Sequence, residues 1–165
     1  MDLARVSWVD DEPARFSREL EAMPEVAPDL HWAGSHWEGL LPLWPIDRPE
    51  PPGLVKFTSG RRFRVEVHYL ESFPMVAPRF LPADPQPEIA VWTMNRWHVA
   101  GDGSLCLLQN FTDWHPVNTA ADLVPKAAGW FLEYLLMVDG VIEAMSTGGI
   151  AADDSLDHLF QRSHP

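Results

Sequence analysis

The stretch Phe63-Arg64-Val65-Glu66-Val67-His68-Tyr69 sets an aromatic or branched apolar residue at every second position, with charged or polar side chains between them. A period of two marks a β-strand that buries one face and leaves the other in water. Upstream, Leu54-Val55-Lys56-Phe57-Thr58 is expected to pair with it as a hairpin across Ser59-Gly60-Arg61. Downstream, past the proline-interrupted Phe73-Pro74-Met75-Val76-Ala77-Pro78, Arg79-Phe80-Leu81 reads as a further strand. Leu30-His31-Trp32-Ala33-Gly34-Ser35-His36-Trp37 reads as an earlier one, followed by an irregular stretch with five prolines from Pro42 to Pro52. Trp32, Trp37 and Trp44 are expected as packing aromatics.

Helices flank this β region. Residues 11–23 have Asp11 as a cap, Pro13 in the first turn, and Phe16, Leu20 and Met23 on one stripe, with Pro24 and Pro28 as stops. A longer helix is expected over 120–138, where Trp130, Phe131, Tyr134, Leu135 and Val138 recur at helical spacing and Pro125 suits a start. Asp139-Gly140 breaks it, residues 141–145 resume helix, and 146–149 form a joint. Helix, strands and helices in segregated order predict an α+β fold. Its strands form an antiparallel meander of about four, in one domain over 1–165 with a core at about 11–145. Residues 146–165 read as a polar extension with a short helix near 156–160.

Composition narrows the function. With 24 acidic and 12 basic side chains the formal charge is −12, which repels a phosphate backbone and argues against nucleic-acid binding. The sequence contains no apolar run of about 20 residues and no signal-peptide pattern, so a cytoplasmic, non-membrane protein is expected. Lysine occurs only at Lys56 and Lys126. That scarcity fits compositional bias, and equally an enzyme that transfers acyl groups to lysines and must spare itself. The seven histidines show no paired ligand spacing with cysteine or carboxylate, so neither a metal nor a cofactor is expected.

The single cysteine excludes an internal disulfide. A lone cysteine is most often a small buried apolar group, but the surroundings of Cys106 point elsewhere. Gly101 and Gly103 mark a tight turn that delivers it to a shaped loop. Gly103-Ser104-Leu105-Cys106-Leu107, followed by Trp114, Pro116 and Thr119, resembles the active-site region of ubiquitin-conjugating enzymes. That family shows Gly-x-aliphatic-Cys-Leu, then tryptophan, proline and threonine at these distances. Phe73-Pro74 and Pro78 resemble the proline signature after the family's third strand, and the likeness extends over roughly residues 11–140. Without the family's His-Pro-Asn motif, and with Leu123-Val124-Pro125-Lys126 opening a helix, the chain is similar to bacterial members found in antiphage operons.

The resemblance implies a ubiquitin-conjugating-type fold, and an acyltransferase that carries a ubiquitin-like protein as a thioester on Cys106 and passes it to an amine on a protein acceptor. It also implies an adenylating activating enzyme as partner, docking near the helix at 11–23, whose Arg15, Arg18, Glu19 and Glu21 are expected on the exposed face. The family's oxyanion-stabilising asparagine is replaced by His98, within Arg96-Trp97-His98. Histidine can donate a hydrogen bond to an oxyanion or act as base toward the amine. The family's aspartate two residues after the cysteine is Leu108 here. Asp113 and Asp139 are candidates for the group that depresses the amine's pKa, Asn95 and His115 could support the loop, and Trp114 is expected beneath it. Two rival functions share these residues. One is a silent scaffold of the same fold that binds a ubiquitin-like protein. The other is a cysteine hydrolase pairing Cys106 with His98 or His115 and an aspartate.

Overall fold

The computed structural model describes residues 7–110 and 113–161. Two helices, α1 (Ser7–Asp11) and α2 (Pro13–Val26), precede a four-stranded antiparallel sheet. Its strands are β1 (Leu30–Trp32), β2 (His36–Leu40), β3 (Arg64–His68) and β4 (Arg79–Asp84), adjacent in chain order. A short helix α3 (Leu54–Thr58) lies between β2 and β3, and a 3₁₀ turn (Ala120–Leu123) leads into α4 (Val124–Val138). The α+β class and the meander follow from the alternation in β3, whose Val65 and Val67 are wholly buried while Arg64 is exposed.

Several local expectations are corrected. Residues 54–58 are helical, not the hairpin partner of β3. Gly53 takes a left-handed φ of 87° at the helix entry, and Leu54 and Phe57, three apart, are the pair that buries. Val55, which a strand reading would set on Phe57's face, is 66% exposed. The partner of β3 is instead β2, in the register Trp37↔Val67 and Gly39↔Val65. Residues 30–37 are likewise two strands, because Gly34 at φ 91° turns the chain and the Ala33 amide bonds the His36 carbonyl at 2.8 Å. Residues 141–145 are not helical; the Met145 amide bonds the Arg96 carbonyl at 2.9 Å, and the Met145 side chain is buried.

Helix α2 departs from its expected face. Asp11 belongs to α1 and does not cap it, and the helix runs past Pro24 to Val26. Its buried residues are Arg15, Glu19 and Met23, while Leu20 is 37% exposed and Phe16 packs at the margin against Trp8 and Trp32. Of the four charged residues expected on its exposed face, Arg15 and Glu19 are therefore interior. Glu19 accepts hydrogen bonds from the Tyr69 hydroxyl at 2.9 Å and the Ala120 amide at 3.0 Å, and Tyr69 Oη in turn accepts from Trp37 Nε1 at 2.9 Å. The Arg15 guanidinium lies over the Phe73 ring at 5.1 Å.

The C-terminal segment is not a solvated polar tail over its described length. Ile150, Leu159 and Phe160 are buried in the core, Phe57 meets Phe160 edge-on, and Arg48 holds Asp157 through two hydrogen bonds. A Cβ on Gly53 would stand 2.5 Å from the Phe160 carbonyl oxygen, so only glycine admits this approach. The expected short helix near 156–160 is a 3₁₀ helix at Asp157–Gln161.

The Glu19 network generates a stability prediction. Glu19→Ala leaves the Tyr69 hydroxyl and the Ala120 amide without their acceptor and Arg15 buried without its counter-charge, a loss of about 3 kcal/mol. Glu19→Gln keeps a carbonyl acceptor and loses less; urea denaturation midpoints of the two variants order them.

Candidate active site around Cys106

Cys106 is exposed, on a loop built almost wholly from backbone hydrogen bonds. The loop's two arms meet at the bridge Val99↔Leu105. Thr93 bonds Val99, Ala100 bonds Ser104, and the Cys106 amide donates to the His98 carbonyl at 2.8 Å. The Leu105 amide donates to the Phe80 carbonyl at 2.9 Å, which fastens the loop to the free edge of β4. At the tip, the Asp102 carboxylate takes both the amide and the hydroxyl of Ser104, and pairs with Arg79 of β4. Gly103 sits at φ 84°, and a Cβ there would press within 2.8 Å of the Trp92 ring. The thiol is thus presented by a loop anchored on both sides.

Among the described residues, three clefts meet at Cys106. One, of about 420 Å³, is lined by Cys106 and His98 together with Lys126, Trp130 and Glu133 of α4 and the 147–149 turn. A second, of about 300 Å³, adds Asn95 and Thr93 beside His98 and Cys106. The third, of about 210 Å³, runs under Cys106 along Ala77, Pro78 and Leu108. Leu108, Gln109 and Asn110 continue into an apolar trough lined by Met75, Val76 and Trp114.

Electrostatics define what the thiol can do. Partial burial pushes the Cys106 thiol above its ordinary value, and the Asp102 carboxylate adds to the rise. No helix follows Cys106 directly, so no dipole offsets this. Desolvation lowers the His98 pKa, which favours the neutral ring. Both roles expected of His98, hydrogen-bond donor and base, are within reach of a neutral ring. His98 is also the left-handed residue, φ 49°, that ends the 3₁₀ helix Asn95–Trp97.

The expected supporting residues divide. His98 and Asn95 share clefts with Cys106. Trp114 is buried beneath the trough, with Nε1 donating to the Pro74 carbonyl at 2.8 Å. Asp113 and His115 do not line the clefts at Cys106: Asp113 accepts from the Gln109 and Asn110 amides, and His115 is exposed, its amide held by Asn118. Asp139 is engaged with Arg61 at 2.9 Å. Thr119, read as part of the cysteine motif, serves as a capping box with Asp122 at the entry to α4.

Sequence reasoning missed Lys126 and Glu133. They lie seven residues apart on α4, two turns or about 10.5 Å along one face, yet only the tertiary fold sets that face opposite Cys106. Glu133 is buried, its Oε1 accepting from the Ser146 amide at 2.7 Å, and burial raises its pKa against that bond. Neither a comparison with protein families nor one with curated proteins finds a match for this chain.

Two measurements follow. Because Cys106 is the sole thiol, iodoacetamide alkylation against pH reports it alone. Asp102→Asn keeps an acceptor for Ser104 but removes the charge, so the midpoint moves to lower pH and the rate near neutrality rises about threefold. For Glu133 the folded value is raised above the ordinary 4.5, so its contribution to stability is full at acid pH and is lost as pH rises through the raised value. Glu133→Gln removes that slope, and urea midpoints collected across this range show the variant gaining on wild type as pH rises.

Proposed function

We propose that this chain is a cysteine acyltransferase of the ubiquitin-conjugating type, with Cys106 as the carrier thiol. The observation that carries the reading is an exposed thiol, anchored on both sides, where three clefts meet and from which an apolar trough leads away past Leu108. A trough with an apolar floor suits the extended C-terminal tail of a ubiquitin-like protein, with the acyl carbon delivered to sulfur. The N-terminal helix, four-stranded meander, cysteine loop and C-terminal helix follow the order expected of that fold.

In the first step the Cys106 sulfur attacks the acyl carbon of the activating enzyme's thioester. The new S–C bond forms as the old one breaks, and the leaving thiolate takes the proton that Cys106 loses. In the second, an amine nitrogen attacks the Cys106 thioester, the C–S bond breaks, and the amine's proton is given up as the Cys106 thiolate leaves. Neutral His98 is the base available for that proton, and Asn95, on the same cleft, is an amide donor for the oxyanion. The depressed pKa that hydrolase nucleophiles rely on is missing at Cys106, which disfavours a hydrolase. A raised thiol pKa also fits an acyl carrier that receives an already activated acyl group, though it equally suits a silent scaffold. The exposed side of α2, with Arg18 and Glu21, remains the proposed docking surface for the activating enzyme. Bacterial antiphage operons of this kind are the proposed setting.

The test is co-expression with an activating enzyme and a ubiquitin-like protein encoded beside the gene. Wild type forms an adduct that reducing agent removes, Cys106→Ser a reductant-resistant oxyester, and Cys106→Ala none. An unchanged adduct in Cys106→Ala, or none in wild type, overturns the proposal. His98→Ala loads normally but discharges to free lysine about 10²-fold more slowly.

A further inference from the structure

The outer face of the sheet carries a cluster unrelated to Cys106. Cross-strand pairing sets His36 opposite His68 and Glu38 opposite Glu66, with all four side chains on the wet face of β2 and β3. The two imidazoles stack, centroids 4.6 Å apart and planes 6° apart. His36 Nε2 lies 3.5 Å from Glu66 Oε1 and 3.1 Å from Glu38 Oε2, and His68 Nε2 lies 3.6 Å from Glu66 Oε2.

We propose that His36, Glu66 and His68 bind a zinc-class divalent cation. Three observations support the site independently of the function assigned to Cys106. First, one donor atom from each of the three residues lies within 4.8 Å of the others. A tetrahedral zinc site with bonds of about 2.0–2.1 Å has edges of roughly 3.3–3.4 Å, close to the His–Glu separations, and the two stacked rings must turn out of parallel so that both planes contain the ion. Second, the other ring nitrogen of His36 is already committed, with Nδ1 3.1 Å from Ser35 Oγ. This is the outer-shell bond that fixes a metal-ligating imidazole, and it leaves Nε2 facing the cluster. Third, His68 Nε2 is shielded from solvent and has no hydrogen-bond partner among the described residues, a polar atom that a metal bond would satisfy.

The donor set selects the ion. Two imidazoles with a carboxylate suit zinc and neighbouring transition metals, whereas magnesium and calcium demand oxygen ligands. Arg79, the cross-strand neighbour of His68, could repel a cation, but its guanidinium is committed to Asp102. No cysteine announces the site in the sequence, and its two His–carboxylate pairs, each at a spacing of two, lie on separate strands. His36-Trp37-Glu38 and Glu66-Val67-His68 become a ligand set only through the β2–β3 register.

The test uses tag-free, full-length chain carrying Cys106→Ala, so that the thiol cannot compete, titrated calorimetrically with Zn²⁺ alone. The expected result is one Zn²⁺ per chain, a higher melting temperature in its presence, and no such response to Mg²⁺. His36→Ala or His68→Ala weakens binding about 100-fold, and Ser35→Ala about tenfold. Co²⁺ in place of Zn²⁺ gives the intense visible absorption of a four-coordinate site, lost in the same variants. If a histidine variant unfolds, Glu66→Gln with the cobalt spectrum gives the same readout. Absence of saturable binding, or equal binding by wild type and folded variants, overturns the proposal.

Discussion

A buried carboxylate holds this fold together. Glu19 lies wholly inside the protein and gathers hydrogen bonds from the Tyr69 hydroxyl and the Ala120 amide. Those partners come from the end of β3 and the entry to the C-terminal helix, so one side chain of α2 joins the sheet to the element that lines the cysteine cleft. Trp37 on β2 extends the chain by donating to Tyr69. Glu19 and Tyr69 are both buried, and that burial raises the pKa of Glu19 and pushes that of Tyr69 well above its ordinary value. Both bonds fall on one carboxylate oxygen, Oε2, while Oε1 is buried without a hydrogen-bond partner among the described residues, so losing either bond leaves a further buried group unpaired.

That constraint is felt at Cys106 through two rigid walls. The edge of β4 supplies the Phe80 carbonyl that fixes Leu105, and α4 supplies Trp130, whose Nε1 bonds the Trp97 carbonyl at 3.0 Å. The cysteine loop hangs between them, with its own bonds closing the turn. A thiol presented this way needs no secondary structure of its own to be positioned. The clefts on either side lie open because the loop spans the gap between sheet edge and helix.

The two faces of the sheet are differently employed. The inner face buries Trp37, Val65, Val67 and Phe80 against the aromatic clusters around Trp8 and Phe131. The outer face, freed from packing, collects His36, Glu38, Glu66 and His68. The alternation that made β3 legible is what sorts apolar side chains to the core and polar ones to water. Its polar half carries as much information as its apolar half.

Periodicity by itself determined β3, the long C-terminal helix and the α+β order, because burying one face of an element imposes a period that any single chain displays. Glycine by itself marked the tight turn before Cys106, with Gly103 where the backbone turns against Trp92. Local pattern failed where a short segment fits two periods. Leu54-Val55-Lys56-Phe57-Thr58 reads as a strand by its composition, yet the turn at Gly53 and the burial of Leu54 and Phe57, with Phe57 against Phe160, make it a helix. It failed again in α2, where the buried stripe is charged because Tyr69 and Ala120, distant in sequence, satisfy Glu19. Lys126 and Glu133 beside Cys106, and His36 beside His68, were likewise decided only by tertiary structure, since long-range pairing brings together side chains that no local period connects.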